Sequence, residues 1–168
     1  MNNFVKIGVF GLIAYPTVLL AYEPATHEKL SVETVKNSVL RNSSEVLSNL
    51  GLRAMDDEKQ KFPNSAGDEN TLIDLIQYGA FMEDDGFIRP LNHFYDPVND
   101  IGVNILGLPI AEPTPDWALK TDRLRHPEQQ EYSFKDAYEY LFRALTLPDE
   151  QTRKQNIGRL FQSLGQVL

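Results

Sequence analysis

The chain holds three histidines and no cysteine, so metal or nucleophile chemistry has to be built from imidazoles, carboxylates, hydroxyls and backbone groups. His93 stands in Asn92-His93-Phe94-Tyr95-Asp96-Pro97, a few residues after the acidic run Glu83-Asp84-Asp85. Carboxylates at the end of one helix and an imidazole on a proline-shaped turn can converge on one cation. Zinc accepts that mixture of nitrogen and oxygen donors. The aromatic neighbours would keep water from the ring, and Asp96 is placed to orient one of its nitrogens. Composition alone equally describes solvated acids at a helix end followed by a packed aromatic turn. His27 falls in the first turn of the first expected helix, where an imidazole suits a metal or anion site or simply faces water. His126 precedes Pro127 among Arg123, Arg125 and Glu128 and reads as a solvent-exposed residue.

The elements that would position these residues are helical. Thr26 is the expected cap of a helix through His27-Glu28-Lys29-Leu30, with Leu30, Val35 and Val39 at apolar positions. A short helix follows from Ser43 or Ser44 to Gly51, with Val46, Leu47 and Leu50 on one face. Residues 56–70 are polar and contain Pro63 and Gly67, which predicts a loop. Thr71-Leu72-Ile73-Asp74 is a capping-box pattern that opens a helix to about Met82, stopped sharply at Glu83-Asp84-Asp85-Gly86.

Between residues 87 and 130, prolines at 90, 97, 109, 113, 115 and 127 forbid a long helix and predict an irregular excursion of the functional kind. Ser133 then caps Phe134 to Leu145, with Phe134, Ala137, Tyr138, Leu141, Phe142 and Leu145 as its apolar stripe. Pro148 breaks that helix and Asp149 caps the last one. Ile157, Leu160, Phe161, Leu164 and Leu168 share a face there, and Gly158 and Gly165 offer a second backbone a close approach. An apolar stripe running to Leu168 without a closing residue predicts a helix cut part-way. The fold class expected is all-α.

With 168 residues, 42% apolar and 24% charged, one globular domain is expected. A net charge of −8 opposes binding to a nucleic-acid backbone, although bound divalent cations reverse the local sign where carboxylates converge. Met1 to Lys6 and the uncharged apolar run Ile7 to Ala21 have the layout of a signal peptide, with Leu19-Leu20-Ala21 at the cleavage position. The expectation is a leader at 1–21 and a mature chain, 22–168, that is secreted or periplasmic. The rival reading keeps the apolar run as a membrane anchor.

The segment Asn92 to Pro97 is similar to the His-Phe-Tyr-Asp-Pro segment of bacterial zinc-dependent phospholipases C. The chain resembles the N-terminal part of the superfamily that these enzymes share with the S1/P1 nucleases. The resemblance implies a multi-helix phospholipase C-like bundle and a three-zinc cluster acting on phospholipid or other phosphodiesters. It implies His93 as a zinc ligand, His27 of Ala25-Thr26-His27-Glu28 as the early histidine ligand, and Asp84 as the aspartate ligand, with Asp85 as its rival. Two departures from the family pattern accompany it. The family's N-terminal tryptophan ligand has no counterpart, since the mature chain would start at Tyr22 and the sole tryptophan is Trp117. Arg159 to Leu168 looks like the run leading into the family's later His-x-x-x-Asp helix and stops before those ligands. The chain would therefore supply part of the zinc cluster and hydrolyse phosphodiesters weakly or not at all by itself. The alternative is a non-catalytic exported helical binding module, with a partner helix covering the stripe from Ile157 to Leu168.

Overall fold

Thr71 and Ser133 open the two helices of clearest sequence origin by the same device. In the computed structural model, which describes residues 24–42, 44–85, 89–119 and 132–167, each sits extended before its helix. The Thr71 hydroxyl accepts the Asp74 N–H and the Asp74 carboxylate accepts the Thr71 N–H; Ser133 and Asp136 repeat the exchange. Both caps are buried, so water cannot replace them. Thr71→Ala and Ser133→Ala are each expected to lose about 1 kcal/mol of stability, read from the urea midpoint.

The order is α1 (Pro24–Lys36), α2 (Val39–Asn42), α3 (Ser44–Asn49), β1 (Phe62–Pro63), β2 (Glu69–Asn70), α4 (Leu72–Asp84), a 3₁₀ turn at Arg89–His93, β3 (Asn104–Ile105), β4 (Leu108–Pro109), α5 (Thr114–Leu119), α6 (Phe134–Thr146) and α7 (Glu150–Val167). The chain is mostly helical, and among the described residues the strands form two small antiparallel hairpins, β1–β2 and β3–β4. Helix α4 is central, packed by α1 and α7, and α7 is also covered by α6. The core joins Val35 of α1, Leu47 of α3, Met55, Phe62, Leu72, Leu75 and Ile76 of α4, Ala137 and Tyr140 of α6, and Leu160 and Phe161 of α7. Among the described residues no helix is long and apolar enough to cross a membrane.

Helices α4 and α7 approach backbone to backbone. A Cβ on Gly165 would stand 1.9 Å from the Ile76 carbonyl oxygen, and one on Gly79 2.0 Å from that of Gln162. Gly158 meets the β1 hairpin in the same way, 1.9 Å from the Pro63 oxygen. Gln162, fully buried, completes that joint: its Oε1 accepts the Ser65 N–H and its Nε2 donates to the Ser65 hydroxyl, both at 3.0 Å. The expected close approach at Gly158 and Gly165 is therefore made inside this chain.

Several local expectations need correction. Helix α1 begins at Pro24, where the missing N–H of proline is harmless in a first turn, so Thr26 is inside the helix rather than its cap. Of its expected apolar positions Val35 is buried, Leu30 is exposed, and Val39 is exposed on α2. Residues 56–70 contain the β1–β2 hairpin, and the excursion after residue 87 contains the 3₁₀ turn, the β3–β4 hairpin and α5. The stripe of α6 is turned: Ala137, Tyr140 and Ala144 are buried, whereas Phe134, Tyr138, Phe142 and Leu145 are exposed. Helix α7 packs on the Ala137, Tyr140 and Ala144 face of α6 rather than on its aromatic edge. The α7 stripe read as open is internal at Leu160 and Phe161 and half-buried at Ile157 and Leu164, against α4 and α6. The leader at 1–21, Tyr22, His126 and Leu168 lie outside the described residues.

Candidate cation site at the end of α4

Successive helical residues point about 100° apart, so the acids that end α4 face three different ways. Glu83 continues the buried stripe of Leu72, Leu75, Ile76, Gly79 and Ala80 and is itself buried. Asp84 faces α1. Asp85 leaves the helix in an extended conformation and is exposed, which decides between Asp84 and Asp85 as the carboxylate that meets the histidines.

The two oxygens of Asp84 are divided between two rings. His27 Nδ1 lies 2.9 Å from Oδ2 and His93 Nδ1 3.4 Å from Oδ1. The imidazoles stand edge to face, their centroids 5.9 Å apart. The Asp84 side chain is 7% exposed and the rings 19% and 21%, so the acid lies at the floor and the histidines at the rim. Asp84 of α4 thus lies between one histidine of α1 and one of the 3₁₀ turn, with a different oxygen toward each.

Glu83 organises the other side of His93. Its Oε1 lies 3.4 Å from His93 Nε2 and accepts the Trp117 indole N–H at 2.7 Å, and its Oε2 is ion-paired with Arg89. Arg89 also donates to Gln166 of α7 at 3.1 Å and lies over the Trp117 ring. Burial would push the Glu83 carboxyl up. The His93 hydrogen bond, the Arg89 charge and the Trp117 N–H outweigh it and hold the group below the usual glutamate range. Trp117, expected only as the wrong tryptophan for N-terminal zinc binding, instead fastens α5 to α4. The excursion is tied down a second time by buried Asn92, whose Oδ1 accepts the Glu112 N–H at 2.9 Å.

Asp96 does not take the orienting role expected of it. Its carboxylate accepts from Asn99 Nδ2 at 2.7 Å and from the Val98 N–H at 2.9 Å, closing the turn after His93, and these bonds hold its pKa below the usual range. A short turn offers its own N–H groups nearer than any neighbouring ring. Phe94 and Tyr95 are themselves exposed. Glu83 is the carboxylate at the His93 ring instead. Its signal in the sequence was phase: residue 83 falls on the apolar stripe of α4, where a glutamate needs partners.

The donor types present are ones that zinc accepts. Two imidazoles and one carboxylate are a usual set, and tetrahedral zinc with bonds near 2.0–2.1 Å keeps its ligand atoms roughly 3.3 Å apart, a spacing that the 2.9 and 3.4 Å contacts bracket. Asp84 offers a different oxygen to each ring, and among the described residues no group of three or more His, Asp and Glu side chains is already gathered around one point. The donor set suits one ion more readily than a cluster of three. No family model matches the chain, and neither a curated protein nor a solved structure matches it.

Proposed function

We propose that this chain carries a zinc site of an exported phosphodiester-cleaving hydrolase of the phospholipase C kind, with His27, Asp84 and His93 as the ligands. The observation that supports it is Asp84 held between two imidazoles. A carboxylate at the C-terminal end of a helix meets the negative end of the helix dipole, and Glu83 beside it adds a second buried charge. The Arg89 guanidinium offsets the Glu83 charge, whereas Asp84 meets only the two imidazoles, one at each oxygen.

The chain residues then divide the work. His27 and His93 come from different elements and fix the rim, while Asp84 supplies the negative charge that draws a divalent cation. Glu83, Arg89 and Trp117 hold the His93 side rigid. A phosphodiester is repelled by an acidic chain of net charge −8, and a cation at Asp84 reverses that local sign. Zinc supplies charge for the phosphoryl oxygens and lowers the pKa of a bound water. Three protein ligands leave a coordination position for that purpose. Turnover of a chromogenic phosphodiester by this chain alone is expected to be slow, because one cation offsets only part of the charge that develops on phosphorus.

Elemental analysis after dialysis against zinc tests the reading. About one zinc per chain is expected, with affinity reduced at least about 100-fold in His93→Ala and in Asp84→Asn, since loss of a ligand should exceed the 10–100-fold effect of losing an outer partner. Zinc uptake that is absent, or indifferent to His27, Asp84 and His93, would sink the proposal.

A further inference from the structure

A neutral imidazole has one N–H and one lone pair, so a ring that meets a carboxylate oxygen at each nitrogen can donate to only one of them. His93 is such a ring, with Glu83 Oε1 3.4 Å from Nε2 and Asp84 Oδ1 3.4 Å from Nδ1. The two acceptors are held differently. Glu83 is fixed on both oxygens by residues outside the His27–Asp84–His93 group: Trp117 donates to the same Oε1 that faces His93, and Arg89 is paired with Oε2. Those contacts place Oε1 independently of His93. Asp84 is shared between two rings and belongs to the group that would turn toward a cation.

We propose that Glu83 is the positioning residue of this site: it accepts the Nε2 proton of His93 and so fixes the tautomer in which the Nδ1 lone pair faces Asp84. Nδ1 is then the atom that His93 offers to a cation. A lone pair and a carboxylate oxygen facing each other across 3.4 Å repel in the bare protein and attract a cation between them. The sequence neighbours Glu83 and Asp84 thus have separate tasks, one setting the proton and the other receiving the ion. The inference rests on the zinc reading for the nature of the cation and not for the position of the proton.

Long-range proton–nitrogen correlation spectra of the ¹⁵N-labelled full chain, recorded without metal at about pH 8.5, above the ordinary imidazole range, test it. His93 is expected to show a protonated Nε2 and an unprotonated Nδ1. Adding zinc should then shift Nδ1. In Glu83→Gln, which keeps the side-chain volume, the ring should populate both tautomers and zinc affinity should fall about 10–100-fold. Trp117→Phe, which leaves the carboxylate, should retain the Nε2–H form. A wild-type ring protonated at Nδ1, a zinc shift at Nε2, or a Glu83→Gln ring with unchanged tautomer would each overturn the proposal. If Glu83→Gln does not fold, the wild-type spectrum decides alone. A wild-type chain with the Nε2–H tautomer and no zinc uptake would remove the zinc reading and leave this one standing.

Discussion

Gly165→Ala is expected to lower the stability of the chain by about 3 kcal/mol, the upper part of the range for overpacking a filled interior. The added methyl would lie 1.9 Å from the Ile76 oxygen, 2.7 Å from its carbon and 3.0 Å from the Ala80 nitrogen. All three are backbone atoms of α4, so no side chain can swing aside and the two central helices must part. Gly158→Ala should behave alike against Pro63, separating α7 from the first hairpin. Gly107 provides the control: nothing lies within 4 Å of its Cβ position, and only its φ of +84° resists substitution, at about 1–2 kcal/mol. Urea denaturation of the three variants gives the comparison. A Gly165→Ala midpoint equal to that of the wild type would mean that α4 and α7 do not pack this closely.

Glu83→Ala is expected to lose about 3 kcal/mol, the lower end of the range for breaking a buried pair, because Arg89 is 16% exposed at its side chain and keeps some water. The loss reflects less the strength of the pair than what is removed from buried groups: the Glu83 charge beside the Arg89 guanidinium and the Glu83 oxygen that accepts the Trp117 indole N–H. Replacing Glu83 and Arg89 together by apolar residues of similar size should therefore cost less than Glu83→Ala alone, and a double-mutant cycle measures the difference. If the double replacement costs the sum of the singles, the pair is not coupled as drawn.

Acidity provides a second check on Glu83. Its folded pKa lies below the ordinary glutamate value, so its stabilisation is fully present above that value and fades as pH falls through the lowered one. Between neutral pH and pH about 3, the wild type should lose more stability than Glu83→Gln. Equal acid sensitivity in the two proteins would contradict the lowered value.

Patterns of short range determined much of this protein. The capping boxes at Thr71 and Ser133, the stop after Glu83-Asp84-Asp85, the turn at Gly51 and the two heptad-spaced glycines of α7 are written within a few neighbouring residues, and local hydrogen bonds or steric freedom enforce them. His27, Asp84 and His93 stand out by residue type and by a resemblance, and the structure sets one Asp84 oxygen against each ring. Tertiary packing decided the rest. Asp84 prevails over Asp85 because the helix ends between them and turns one inward and the other to solvent. Asp96 bonds to its own turn and leaves the His93 ring to Glu83, which is paired to Trp117 across a separation of 34 residues that no local pattern spans. The apolar stripes of α6 and α7 could be seen in one dimension, but which residues each helix hides depends on the width and closeness of the partner. Glycine sets that closeness between α4 and α7, where the α7 stripe enters the core, while the aromatic edge of α6 is exposed.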